Sequence, residues 1–336
     1  VPLQSTQEGK KLIVDLATFG VPVLLFSGGE PLLREDLFEL AQYAGERGLR
    51  PVLSTNGTLI TPAAAKKIKQ AGFGYVGISL DGLEAIHDRF RGQKGAYNLT
   101  LEGFRNLKAL GQRVGLRLTL TKHNFQDLEA IFDLIEEENI DRACFYHLVP
   151  TGRGSQLGQV GAYCNTPLQL NHYETRQAID LILRKAKELH ERGLQKEILT
   201  VDNHTDGVYL YFRLLKENPS QAQEAHELLK RQGGNGSGVS IACVGPGGEV
   251  HADQFWRNHS FGNVRSKSFG EIWTDLSHPI LAGLRNRQPL LQGRCGLCRY
   301  LEICNGNLRV RAEAAYGDPW AEDPGCYLND EEIGVT

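Results

Sequence analysis

Short apolar runs of strand length alternate with amphipathic stretches of helical length along the first two hundred residues. That rhythm limits the chain to few folds. Runs at Val21 to Phe26, Pro51 to Ser54, Tyr75 to Leu80, Gly115 to Thr121 and Ala143 to Val149 read as strands. Between them Leu37 to Gly48, Pro62 to Gly72, Leu99 to Gly111 and Phe125 to Asn139 read as helices, each closed by Gly or Asn. Repetition of strand, helix, strand predicts right-handed βαβ units around a parallel sheet. The strand runs are almost continuously apolar, which predicts burial on both faces. A helix precedes the first strand, with Ser5 and Glu8 as its capping box and Gly20 as its stop.

A longer helix is expected at Leu170 to Arg192 and a further strand at Ile198 to Asn203. From Gly233 the texture changes to glycine-dense sequence, and Ser268 to Leu276 is the only clear helical period after it. The chain therefore divides into residues 1–232 and a smaller, loop-rich module at residues 233–336. A module of that kind needs a staple. Four of the chain's seven cysteines, Cys295, Cys298, Cys304 and Cys326, fall in it with the spacing C-x2-C-x5-C-x21-C. Four thiolates at such spacing suit a tetrahedral zinc or a cubane iron–sulfur cluster, and a pair of disulfides is the third option. Cys144, Cys164 and Cys243 are isolated and read as ordinary free thiols.

A net charge of -3 offers no general attraction to nucleic acid or to an anionic membrane surface. No apolar stretch approaches the roughly 20 residues that span a bilayer. The chain contains no methionine, so its natural start is expected upstream of Val1.

In parallel sheets of this type ligands sit at the carboxyl ends of the strands. Those ends are polar here. The first carries Ser27-Gly28-Gly29-Glu30-Pro31, the second Ser54-Thr55-Asn56-Gly57-Thr58, and the third Ser79-Leu80-Asp81-Gly82. Ser79 and Asp81 share one face by the strand's period of two, an arrangement suited to ribose hydroxyls. Arg117, Thr119 and Thr121 alternate in the same way on the fourth strand. No G-x-G-x-x-G or Walker sequence follows any strand, which argues against a dinucleotide or P-loop site.

Together Phe26 to Pro31, Ser54 to Gly57, Ile78 to Gly82 and the terminal cysteines resemble the radical S-adenosylmethionine (SAM) enzymes with a SPASM or Twitch C-terminal extension. Val21 to Pro31, Val250 to Trp256 and Cys304 to Leu328 are most similar to the heme d1 biosynthesis (NirJ) branch of that family. The resemblance implies an α/β fold, a partial (βα)6 TIM-like barrel, with a small iron–sulfur domain after it. It implies that Gly28, Gly29 and Glu30 contact the SAM amino group and that Ser79 and Asp81 contact its ribose or carboxylate. Asn56 and Arg117 are carried over by strand position.

The family's C-x3-C-x2-C loop, which ligates the SAM-binding [4Fe–4S] cluster, does not occur in these 336 residues. That loop and the first barrel strand are expected before Val1. A second departure is Leu308, where the seven-cysteine pattern has a further cysteine, with Cys243 as the one remnant of a second auxiliary site. One auxiliary [4Fe–4S] cluster on Cys295, Cys298, Cys304 and Cys326 is what the resemblance then implies, in preference to zinc.

For the same branch the substrate is a tetrapyrrole, 12,18-didecarboxysiroheme, attacked at its propionate side chains by a 5'-deoxyadenosyl radical. The electron donor would be a flavodoxin or ferredoxin and the location cytoplasmic. Arg153, Arg309 and Arg311 are candidate clamps for substrate carboxylates. His147, His204 and His251 are candidate iron ligands or proton donors, and no catalytic residue is assigned. The alternatives are a heme-forming decarboxylase, a peptide (RiPP) maturase, and a non-catalytic zinc-stapled binding protein on a degenerate barrel.

Overall fold

The computed structural model describes residues 5–149, 151 and 168–335. Helix α1 (Thr6–Phe19) begins at the reciprocal Ser5 and Glu8 cap and stops at Gly20, whose φ of 88° requires a residue without a side chain. Six strands follow: β1 (Val23–Phe26), β2 (Arg50–Thr55), β3 (Tyr75–Ser79), β4 (Val114–Leu120), β5 (Arg142–His147) and β6 (Glu197–Val201). The helices between them are α2 (Leu37–Glu46), α3 (Pro62–Gln70), α4 (Glu84–Arg91), α5 (Ala96–Lys108), α6 (Leu128–Glu137) and α7 (His172–Glu191).

All six strands are parallel, and their order in the sheet is their order in the chain. A doubly wound sheet would reverse that order at a switch point. Unreversed order is that of a barrel wall.

Among the described residues only one face of the sheet is sealed. Leu53, Val76, Ile78, Leu116, Leu118, Ala143 and Phe145 are fully buried against the helices. The alternating residues Ser54, Ser79, Arg117, Thr119 and Tyr146 are half-buried on the other face. Val23 and Leu25 on β1 and Leu199 on β6 are exposed. This corrects the expectation of burial on both faces. The strands look uniformly apolar because the edge strands put apolar side chains on the open face.

After β6 come α8 (Thr205–Glu217) and α9 (Pro219–Gln232), then a small antiparallel sheet of β7 (Cys243–Val244), β8 (Glu249–His251) and β9 (Gly262–Asn263). Short helices α10 (Phe269–Thr274), α11 (Pro279–Arg285), α12 (Gly293–Leu297), α13 (Leu301–Cys304), α14 (Arg309–Tyr316) and α15 (Asp330–Ile333) complete the described chain. Residues 233–336 are thus more helical than their sequence texture suggests.

Burial runs across position 232. Ile303, Leu328 and Ile333 belong to the same buried cluster as the six-stranded sheet. A fully buried Leu or Ile contributes about 1.5–3 kcal/mol, so these three alone tie the C-terminal segment firmly to the sheet. A second cluster joins Ile13, Leu16 and Leu40 of α1 and α2 to Val250, Phe269, Ile272, Trp273 and Leu281. Among the described residues no helix is long and apolar enough to cross a membrane.

Candidate functional site

The loop after β1 is built to leave backbone bare. Gly28 has φ 142°, and nothing lies within 4 Å of where a Cβ would stand on Gly28 or Gly29. Glu30 holds this loop against the next one. Its carboxylate accepts from the Leu32 N–H (3.1 Å), the Thr55 hydroxyl (2.7 Å) and the Asn56 N–H (2.8 Å). Gly28, Gly29, Glu30 and Asn56 are therefore brought together at the ends of β1 and β2. The Asn56 side-chain oxygen is occupied by the Thr58 N–H at 2.9 Å and hydroxyl at 2.7 Å.

On the open face Arg117 projects from β4 across β3. Its Nη1 donates to Ser54 Oγ at 2.8 Å, and its guanidinium lies 4.8 Å from the centre of the Tyr146 ring. It can cross only because residue 77 is glycine: a Cβ there would stand 2.7 Å from Arg117 Cδ. Gly77 was not singled out from sequence, although a glycine inside a strand marks a close approach. Ser79 is the register partner of Arg117 and is half-buried beside it.

Asp81 is placed differently from Ser79 despite the shared alternation. It is 3% exposed, pairs with Arg91, and accepts from the Thr119 N–H at 3.2 Å. Its carbonyl accepts from Asn124 at 2.9 Å and its N–H donates to His87 Nδ1 at 3.0 Å. Burial pushes the Asp81 carboxyl above its ordinary range, with Arg91 and Thr119 opposing. Burial also holds His87 down at about 4, so the ring is neutral and accepts that bond. Asp81 thus braces the β3 and β4 ends from within.

A cavity of about 530 Å3 opens at the carboxyl ends of β4, β5 and β6. His147, Asn171, His172, Asn203, Arg311 and Gly325 are among the residues that line it. His147, the last residue of β5, is 9% exposed, and its Nε2 lies 2.8 Å from Asp206 Oδ2. The other oxygen of Asp206 accepts from the Tyr327 hydroxyl at 2.8 Å. His204 is not in that wall; burial holds it down at about 4, and its N–H donates to Asn307 at 2.9 Å. His251 is tied by Nδ1 to the His259 carbonyl at 2.7 Å.

The two described arginine candidates are committed elsewhere. Arg311 forks onto Asp323 at 2.6 and 2.9 Å with both residues nearly unexposed. Arg309 donates to the carbonyls of Gly306, Pro319 and Ala321. Both hold the C-terminal loops together, which their charge alone did not foretell. Arg153 and Cys164 lie outside the described residues.

Cys295, Cys298, Cys304 and Cys326 line a second, small cavity with Arg294, Asn307 and Asp323. Cys295 Sγ receives the Asp323 N–H at 3.4 Å and faces Arg309 Nη2 at 4.0 Å, while Cys298 Sγ receives the Tyr300 N–H at 3.4 Å. Donors aimed at sulfur suit thiolates. Burial, and then the neighbouring cysteines, push the Cys304 thiol well up, and burial raises the other three. Such a set favours an inserted cationic centre that neutralises it. Among the described residues no three His, Cys, Asp or Glu side chains are grouped as a single metal ion requires. Cys144 is buried and free; Cys243 is half-buried and free, and burial raises both thiols.

An unreversed parallel sheet with a glycine loop, clear of side chains, at the carboxyl end of β1 is the setting of the site. Residues 2–135 match the Radical SAM superfamily, and the chain belongs to that family. It is 58% identical over 333 residues to the Fe-coproporphyrin III synthase of Methanosarcina barkeri, covering 98% of this chain and 82% of that one. It is 42% identical to the pre-heme d1 synthase of Dinoroseobacter shibae, covering 98% and 80%. Its fold resembles the structure described as native anSMEcpe with bound AdoMet and Cp18Cys peptide, with a TM-score of 0.72 and 18% identity over 96% of this chain and 86% of that one. The protein is a radical SAM enzyme that uses SAM and a [4Fe–4S] cluster, and the non-catalytic reading gives way.

Proposed function

We propose that this enzyme modifies the carboxylate side chains of an iron tetrapyrrole of the didecarboxysiroheme class, held at the open mouth of a partial barrel. Its product would be Fe-coproporphyrin III rather than a precursor of heme d1. The similarity of 58% to an Fe-coproporphyrin III synthase, against 42% to a pre-heme d1 synthase, favours that product. The observation that carries the reading is the cavity of about 530 Å3 at the carboxyl ends of β4 to β6, the same end of the sheet that carries the Gly28 and Gly29 loop after β1. Pockets of 300–1,000 Å3 are the usual size for enclosing a cofactor or small molecule.

Bound SAM with its iron–sulfur cluster supplies reductive carbon–sulfur cleavage and a radical that removes a substrate hydrogen. The chain's own residues position and enclose. Gly28 and Gly29 offer bare backbone to the SAM amino group, and Glu30 fixes that loop against Asn56. Arg117 and Ser79 present polar groups on the open face, and Asp81 braces the strand ends beneath them. Cys295, Cys298, Cys304 and Cys326 would hold one auxiliary [4Fe–4S] cluster, with the Asp323 and Tyr300 N–H groups on their sulfurs.

The test is incubation of anaerobically reconstituted enzyme with SAM, a reductant and didecarboxysiroheme, followed by mass analysis. Formation of Fe-coproporphyrin III together with 5'-deoxyadenosine is expected. An unaltered tetrapyrrole while SAM is cleaved would sink the assignment, and a heme d1 precursor would move it to the other branch.

A further inference from the structure

His147 is held as metal-ligating histidines are held. A histidine that binds a metal through one ring nitrogen commonly donates its other N–H to a carboxylate, which fixes the tautomer and makes the free nitrogen more basic. Asp206 takes that role, with Oδ2 2.8 Å from His147 Nε2. The Tyr327 hydroxyl, 2.8 Å from Oδ1, in turn pins the carboxylate. Asp206 and Tyr327 are 6% and 3% exposed, so the ring cannot swing away from its partner without stranding a buried carboxylate. The proton is thereby placed on Nε2, and Nδ1 is left as the unprotonated nitrogen of a ring that lines the large cavity.

Among the other described histidines His259 also has a carboxylate behind it, Glu313 at 2.7 Å from Nε2, but it is not in the wall of this cavity. His204 is outside the cavity wall, and His251 spends Nδ1 on a carbonyl. His172 lines the cavity but is exposed, and its Nε2 is tied only to the Pro324 carbonyl at 2.9 Å. It has no carboxylate behind it.

We infer that His147 Nδ1 ligates the iron of the tetrapyrrole substrate, with Asp206 and Tyr327 as its positioning residues. The inference rests on the tetrapyrrole reading and extends it. A ligand from one side would set the plane of the ring and present its rim to the open face of β1 to β4. No bond is made or broken beyond coordination, and neutral imidazole is a normal iron ligand.

Anaerobic titration of the holoenzyme with Fe-coproporphyrin III, followed by absorption and electron paramagnetic resonance, reads the ligand directly. A nitrogen-ligated iron spectrum is expected in the wild type. His147→Ala should abolish it, weaken the iron chelate about tenfold, and recover it with added imidazole. Metal-free coproporphyrin III should bind wild type and variant alike, which separates a lost ligand from a collapsed pocket. Asp206→Asn, which keeps the shape, should retain the ligand but raise the midpoint potential of the bound iron. A nitrogen-ligated spectrum that persists in His147→Ala, or that disappears only in His172→Ala, overturns the inference. If His147→Ala cannot bind even the metal-free ring, an unmoved potential in Asp206→Asn overturns it instead. Turnover of a tetrapyrrole with no His147 dependence would leave the proposed function standing; absence of both iron-tetrapyrrole binding and turnover in the wild type would remove both.

Discussion

Asp202, just past β6, holds a left-handed backbone with φ 67° and a carboxyl pushed up to about 7. Burial is the main cause; Arg311, His147 and Arg117 oppose it and Asp253 adds to it. A carboxyl raised in the folded state binds its proton more tightly than the unfolded chain does. Its contribution is therefore full below the unfolded value near 4 and is lost as pH rises through about 7. Asp202→Asn tolerates the left-handed backbone and removes the ionisation. We expect the variant to gain on the order of 2 kcal/mol over wild type between pH 5 and pH 8, read by denaturant unfolding at both. An identical difference at the two pH values would refute the assignment.

The buried Arg311 and Asp323 pair behaves in the opposite sense. Asp323 also accepts from the N–H groups of Leu308 (3.1 Å) and Gly325 (2.8 Å), so removing it strands two donors besides the guanidinium's own fork. Asp323→Ala should cost about 3–5 kcal/mol in unfolding free energy. A loss under about 1 kcal/mol would show that the cluster region tolerates the unpaired cation. None of this was legible in the sequence, where Arg309 and Arg311 look like cations free to meet a substrate. Their partners, Asp323 and the carbonyls of Pro319 and Ala321 among them, lie in loops without a period.

At the scale of elements, the strands and most helices of the first half follow from apolar spacing, caps and stops. Asn139, with φ 46°, ends its helix as the glycines at 48, 72 and 111 end theirs. The helices that escaped share a physical reason. On α4 the only buried residue is His87, on α9 it is Ala222, and the buried set of α14 includes Arg309 and Arg311. A helix that buries polar groups, or only a single alanine, shows no apolar stripe. Helix α8 carries Gly207 and a run of aromatic residues, which weaken its helical signal. The candidate site was legible where loops announce themselves with glycine and short polar residues, as at Gly28, Gly29 and Asn56. It was not legible for Asp206 or Tyr327, which become neighbours of His147 only through tertiary packing.

Gly77 offers a test of the open face. Gly77→Ala puts a methyl 2.7 Å from Arg117 Cδ, and the flexible arginine must leave Ser54. SAM affinity of the holoenzyme should fall about tenfold, and Arg117→Ala should fall similarly, with little further loss in the double variant. Additive losses, or wild-type binding in Gly77→Ala, would detach Arg117 from the SAM site.

Across the whole molecule, the cysteine-lined cavity is not an appendage. Cys298, Cys304 and Cys326 pack against the same buried cluster that contains Leu116, Phe145 and Ile179 of the sheet and α7. Arg176 of α7 reaches the Tyr327 carbonyl and pairs with Glu332 of α15, and Asn203 donates to the Gly325 carbonyl at 2.9 Å. Any group bound by those thiols in the folded state alone stabilises what it is packed into. A boundary at residue 232 would still allow residues 233–336 to melt first if the two parts shared only a surface. The shared core argues for one transition. Calorimetry of reconstituted and iron-free protein should show a single endotherm in each, at lower temperature without iron. A low-temperature transition that shifts with iron beside a high-temperature one that does not would mean that the sheet folds independently of the cluster. In that case the tie through Ile303, Leu328 and Ile333 would be too weak to couple them, despite the roughly 1.5–3 kcal/mol each contributes by burial.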